Sequence, residues 1–338
     1  MSQSVLQKTL NEPFHEPFHE PFHEVFIYDV SDHGSYIDSH MKSFIQSSMF
    51  NIMIINTENE RTLIEKLNKI DHKVILIVPN VWHFNHMIVN KNVVKILLTY
   101  FVPNSSTDSY NRNFAKIFKR LRYDYYISSS LVPQYNIFKN TIKRNTLYFG
   151  DFQIENCLKN ATEEFDIVYF PNYPVFKNST IKLQEVKLMK QNRIVYNVLS
   201  KYKSRGFSII TLPHPYLFDR YFNNNLKFIN PKYFSNAIDY IPKAHVIINA
   251  CKSFHMVAQI FDRPIIHLRE SSDIDTSMFP KGFTIDELEM SEETLENDIE
   301  KCLKMKSIKN NLINIFYDPS NEPSKRLIEL CQNEFTKA

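Results

Sequence analysis

Glycine is scarce in this 338-residue chain, where Gly34, Gly150, Gly206 and Gly282 are the only four. At the usual ~7% glycine, a chain of this length would hold about two dozen. No two of the four lie within six residues of each other. That spacing excludes a Walker A loop and a G-x-G-x-x-G dinucleotide turn. It also excludes the glycine loop of protein kinases and the G-x-S-x-G nucleophile elbow. Any phosphate bound here must be held without a glycine cradle. Tryptophan is nearly missing too, with Trp82 alone beside 27 Phe and 18 Tyr. Cys157, Cys251, Cys302 and Cys331 share no C-x-x-C spacing, so neither a zinc site nor a disulfide framework is indicated. No apolar run reaches the ~18 residues of a transmembrane helix. Pro13, His15 and Glu16 interrupt any signal-peptide core, so the expected location is the reducing cytoplasm.

What is present describes a globular chain. Hydrophobic residues make up 43% and charged residues 23%, enough for a full core. At ~100–200 residues per domain the length fits about two domains. The balance of 40 basic and 37 acidic residues leaves +3, too small a surplus to indicate a nucleic-acid partner. Between Glu12 and Glu24 the tetrapeptide Glu-Pro-Phe-His occurs three times in tandem. Histidines at 15, 19 and 23 have the spacing of metal ligands on a helix. Pro13, Pro17 and Pro21 forbid that helix, so residues 1–24 read as a low-complexity tail.

Beyond the tail, short apolar runs alternate with amphipathic stretches. Val25–Val30, Asn51–Asn56, Val74–Val78, Val94–Tyr100, Tyr125–Ser128 and Thr146–Phe149 read as strands, with helices at Glu60–Ile70 and Asn111–Arg122. The pattern restarts with strands at Asp166–Phe170, Ser208–Leu212, Val246–Asn249 and Pro264–Leu268. Helices fit Leu183–Ser204, Ser253–Phe261 and Ser291–Met305. This implies an α/β protein of two doubly wound, Rossmann-like halves, a GT-B-like layout with a cleft between them. An N-terminal, acceptor-side half would span 25–155 and a nucleotide-donor half 163–315. The polar stretch near Asn156–Glu164 would be the hinge, and 323–337 a closing helix.

Two stretches point to chemistry. In Thr211–Asp219 a strand ends on Pro213-His214-Pro215, so a stiff turn displays His214 at the strand's carboxyl end. There it would donate to a diphosphate and stabilise charge on the leaving group. The alternative is a histidine packed in a proline turn. In Ala244–Leu268 a strand leads through Asn249, Cys251, Lys252 and Ser253 into a helix start. Free backbone donors, a cap hydroxyl and the Lys252 charge would attract phosphate there, although every βα unit has such a helix start.

These stretches resemble the CDP-glycerol glycerophosphotransferase family, whose members build teichoic-acid and capsule-like polymers on a GT-B fold. The order of motifs is similar from about residue 120 to 335. Tyr123–Ser130 resembles the family's strand ending in serine, and Ile142–Asp151 its strand running into a glycine turn. Asp166–Pro174 resembles the strand that opens the second half, and Phe316–Leu330 the closing arginine-bearing helix. The resemblance implies that His214 contacts the nucleotide diphosphate, that Asn249, Lys252 and Ser253 hold donor phosphate, and that Arg326 helps close the cleft. It implies a CDP- or UDP-linked donor, a glycan or lipid-linked acceptor, and neither cofactor nor metal. The Asp273-Ile274-Asp275 sequence is therefore discounted as a metal site.

The chain departs from the family in two places. The family's His-Gly pair after a first-half strand is missing from Thr99–Asn104, and the only His-Gly is His33-Gly34 after the first strand. His33, oriented by Asp32 or Asp38, would be the general base, or else part of an ordinary Asp-His-Gly-Ser turn. The Gly150-Asp151 turn lacks the family's proline and arginine, so the transferred group could be a sugar. A sugar-nucleotide epimerase or hydrolase, or a non-catalytic nucleotide- or partner-binding protein, are the other readings. The basic amphipathic stretch 111–122 would contact the inner membrane face or simply pack on its own sheet.

Overall fold

The computed structural model describes residues 23–28, 41–55, 60–78, 87–98, 123–132, 145–160, 164–171, 181–213, 229–231, 234–249, 257–258, 260–269, 283–286, 290–305 and 313–337. The Glu-Pro-Phe-His repeats before His23, the stretch 111–122 and Asp273–Asp275 lie outside these residues.

The first sheet contains β1 (Glu24–Tyr28), β2 (Asn51–Ile55), β3 (Val74–Val78), β4 (Val93–Leu98), β5 (Tyr125–Ser128) and β6 (Thr146–Tyr148), in the order β2-β1-β3-β4-β5-β6. Every pairing is parallel. Parallel strands are covered on both faces, and the inner ones read as continuous apolar runs. β3, Val-Ile-Leu-Ile-Val, is buried at every residue. On one face α2 (Glu60–Lys69) packs Leu63, Ile64 and Leu67 against Phe26, Leu76 and Leu97. On the other, α1 (Lys42–Ser47) and α3 (Phe152–Asn160) bring Phe44 and Phe152 against Ile27, Ile75 and Ile96.

The second sheet contains β7 (Phe165–Phe170), β8 (Ile209–Thr211), β9 (Ala244–Asn249), β10 (Ile265–Arg269) and β11 (Phe283–Asp286), again all parallel, in the order β11-β10-β9-β7-β8. One face is covered by α4 (Ile181–Ser204) and α5 (Glu292–Lys304) through Val195, Val198, Leu199, Leu295 and Ile299. The opposite face receives Ile241 of a 3-10 helix (Phe234–Lys243) together with Val257 and Ala258. A short α6 (Ile313–Phe316) leads to α7 (Pro323–Thr336), which returns to the first sheet and buries Leu327 and Cys331 there.

The segment read as a hinge is helical at its start: Asn156–Asn160 belong to α3, which is packed against both halves. Phe152 lies in the core of the first sheet, and Cys157 in that of the second. Its polar residues, which made it read as a linker, are satisfied internally. The buried Glu155 carboxylate accepts from the Ser324 amide (2.9 Å) and hydroxyl and from Lys159 (2.7 Å). The Asn156 side-chain oxygen accepts from the Ser43 amide at 3.1 Å and its hydroxyl at 2.5 Å. Composition alone does not distinguish a solvated polar stretch from one paired inside the fold.

The two described glycines, Gly150 and Gly206, both take left-handed backbone positions. Gly150 has φ +95°, and a Cβ there would lie 2.6 Å from the Phe316 carbonyl oxygen. Gly206 has φ +94° at the end of α4, with open space around it. Elsewhere asparagine and aspartate take left-handed positions, at Asn145, Asn230 and Asp262. These are the residue types, after glycine, that best tolerate that conformation. Gly206→Ala should cost about 1 kcal/mol from backbone strain alone. Gly150→Ala, which adds the clash with Phe316, should cost about 2–3 kcal/mol. Urea denaturation of both variants measures the difference, and equal losses would mean that Phe316 yields freely.

Candidate functional site

In open parallel sheets ligands bind beyond the carboxyl ends of the strands, where the strand order reverses. Here the order reverses between β1 and β3 in the first sheet and between β7 and β9 in the second. Asn249 is the last residue of β9 and is paired in register with Phe170, the last residue of β7. It therefore lies at the second sheet's reversal point, fully buried. Lys252 and Ser253 follow it in the chain by three and four positions, outside the described residues. His214 follows Thr211, the end of β8, by three positions, and His33 follows Tyr28, the end of β1, by five. Both histidines also lie outside the described residues.

Arg326 is described, and its guanidinium contacts the end of the first sheet. It donates to the Tyr148 carbonyl and stands 5.9 Å from the centre of the Phe149 ring. Tyr148 ends β6 and Phe149 follows it, so Arg326 is anchored on the first half at the carboxyl edge of its sheet. Pro323 at the start of α7 and the Glu155–Ser324 hydrogen bonds set this position.

The Gly150-Asp151 turn beside Arg326 is clamped by the returning chain. The Asp151 amide donates to the Phe316 carbonyl at 2.7 Å, and the Leu131 amide to the Ile315 carbonyl at 2.7 Å. The Asp151 carboxylate caps α3 by accepting from the amides of Gln153 (2.8 Å) and Ile154 (3.0 Å). Burial raises its pKa to about 6 against the pull of those two amides. The Cys157 thiol of α3 lies close enough to Asp239 of the 3-10 helix to act on its titration. Burial raises that carboxyl too, to about 6, while Cys157 and Lys42 oppose the shift.

The sequence reading passed over His267. It is buried on β10 and paired in register with Asn249. The signal was a lone polar residue inside the apolar run Pro264–Leu268. Tyr169 and Thr211 are a second such pair, in register across β7 and β8.

Two parallel, doubly wound sheets, with the last helix returned to the first of them, define a GT-B-type fold. The sequence matches no protein-family profile and no curated protein sequence. Solved structures do match. The wall teichoic acid polymerase TagF shares 13% identity at a TM-score of 0.56, over 94% of this chain and 90% of that one. The UDP-GlcNAc 2-epimerase of Methanocaldococcus jannaschii, in complex with UDP-GlcNAc and UDP, shares 13% at 0.52, over 92% and 100%. The glycotransferase of kitacinnamycin shares 7% at 0.53, over 93% and 100%. At these identities the likeness is one of fold. Among the described residues no helix is long and apolar enough to cross a membrane.

Asp151 predicts a pH dependence. Its pKa in the folded chain, about 6, lies above the ordinary 3.8. The protonated group therefore favours the fold fully below pH ~4, and that contribution is lost as pH rises through ~6. Asp151→Asn keeps the cap but does not titrate. Between pH 4 and 7 the wild type should lose about 2 kcal/mol of stability relative to this variant. Urea denaturation at both pH values measures this, and parallel profiles would refute it.

Proposed function

We propose that the chain is a GT-B transferase that moves a glycosyl or glycerol-phosphate group from a CDP- or UDP-linked donor to a glycan or lipid-linked acceptor. The observation that carries the proposal is the place of Asn249 at the reversal point of the second sheet. Lys252 and Ser253 follow that strand end in the sequence by three and four positions. In this reading residues 163–315 form the donor half, and Asn249, Lys252 and Ser253 hold the donor phosphates. His214, three residues beyond the end of β8, donates to the bridging diphosphate as charge develops on it. Residues 25–155 form the acceptor half, and His33 removes the acceptor's proton. Arg326, braced on Tyr148 and Phe149, presents positive charge at the carboxyl edge of the first sheet and assists closure on the donor. No metal or cofactor takes part. The protein works in the cytoplasm, and residues 111–122 bring it to the inner membrane face, where lipid-linked acceptors are found.

Fold likeness to TagF supports the glycerol-phosphate version, and likeness to the glycotransferase of kitacinnamycin supports the glycosyl version. The match to UDP-GlcNAc 2-epimerases favours a second reading, in which the same halves act on a sugar nucleotide without an acceptor.

The test uses the full chain with CDP-glycerol and, separately, UDP-GlcNAc. Product analysis distinguishes transfer from epimerisation or hydrolysis. His214→Ala should lower turnover by roughly 10²-fold or more while leaving the unfolding midpoint unchanged. Turnover equal to wild type would remove His214 from the mechanism. Donor binding without turnover in the wild type would refute the enzyme reading altogether.

A further inference from the structure

Among the described residues, the buried polar atoms of the second half without a hydrogen-bond partner include the Tyr169 hydroxyl, the Thr211 hydroxyl and the Asn192 side-chain oxygen. Their residues are 2%, 1% and 4% exposed, so bulk water does not satisfy them. They come from three elements that share one seam. Tyr169 of β7 and Thr211 of β8 are register partners, and partners in a parallel sheet present their side chains to the same face. On that face Tyr169 packs with Val195, Val198 and Leu199 of α4. Asn192 precedes Val195 by three residues and Leu199 by seven, the spacing of a single helix face. All three side chains therefore belong to the sheet face that α4 covers. Burial alone pushes the Tyr169 phenol above its ordinary pKa, with no hydrogen bond acting on it.

Buried polar groups are nearly always paired, with protein or with ordered water, and a buried water typically makes about three hydrogen bonds to groups otherwise left unpaired. The trio offers two hydroxyls, which donate or accept, and one amide oxygen, which accepts. None carries a charge, so the set does not select a phosphate. Its closure to solvent excludes a sugar or a nucleoside. A single neutral molecule that both donates and accepts fits this set.

We propose that the seam holds one ordered water, hydrogen-bonded to Tyr169, Thr211 and Asn192, which joins the ends of β7 and β8 to α4. The water site stands on these three atoms alone. Its functional consequence rests on the transferase reading: Thr211 is the last residue of β8, and His214 follows by three. The water then acts as a positioning element for the strand end that leads to that histidine.

Tyr169→Phe and Thr211→Val each remove one hydroxyl at nearly constant shape. With a water present, each variant strips a bond from it and should lower the thermal midpoint by about 2 °C. The double variant should lose less than the sum, because both hydroxyls hold the same molecule. A crystal structure of the full chain should show a single solvent peak about 3 Å from all three atoms. In a dry seam, removing an unpaired hydroxyl would leave the midpoint unchanged or raise it, and either result overturns the proposal. So would density too large for one water. Both measurements are made without donor or acceptor, so failure of the transferase reading leaves them interpretable. If the wild type transfers, Thr211→Val should lower kcat two- to tenfold with KM unchanged. A kcat equal to wild type would overturn the positioning role.

Discussion

The two halves depend on one short helix. α3 leaves the first sheet at Gly150, buries Phe152 beneath that sheet and places Cys157 in the core of the second. Its buried polar positions are each tied to a segment distant in sequence. Glu155 holds Ser324 of the returning helix, Asn156 holds Ser43 of α1, and Cys157 meets Asp239. A buried carboxylate without partners would be strongly destabilising, so these contacts require that α7 return to the first sheet. The return also sets the geometry around Gly150, where the Phe316 carbonyl occupies the space of a Cβ. Ile154 completes the joint by packing with Ile260, Phe316 and Tyr317, residues from both sides of the crossover.

That joint explains how a chain with four glycines folds in this way. The two described glycines lie at left-handed positions, one under the crossover and one ending the long helix of the second half. Asparagine and aspartate take three further left-handed positions, before β6, beside β8 and before β10. These side chains hydrogen-bond locally and tolerate the conformation at modest cost. Asn230, for instance, donates to the Ile209 carbonyl. Abundant asparagine thus does part of the work that glycine does in most α/β proteins. Turn chemistry is preserved although the usual residue is rare.

Much of the architecture could be read directly. β3 and β5 have the limits that apolar runs predict, and Glu60–Lys69, Glu292–Lys304 and Pro323–Thr336 follow helical periodicity. The missed elements are short or polar: α1, the 3-10 helix, β11 and α6, with six, ten, four and four residues. Periodicity needs more residues than the four- and six-residue elements supply, and a 3-10 helix repeats every three residues rather than every 3.6. α3 was missed for a different reason. Its Glu, Asn and Lys read as a solvated linker, because their partners, Ser43, Ser324 and Glu322, lie far away in the chain. Asn249 could be placed at a strand end from sequence alone. Its neighbour His267 could not, because their contact is created by the pairing of β9 with β10.

By itself the sequence determined the class of fold. Strand-length apolar runs alternating with helical ones, twice over, leave few solutions other than two wound parallel sheets, since both faces of each run must be buried. It also determined that no glycine cradle is available for phosphate. Tertiary structure alone decided the strand order, hence the reversal points at β1/β3 and β7/β9, and with them which strand ends lie together. Strand order is set by crossovers and by side-chain packing across the sheet faces, which local patterns do not encode. Tertiary structure also decided that Arg326 is braced on Tyr148 and that Tyr169 and Thr211 share a face. Such contacts arise only when segments far apart in the chain are buried against each other.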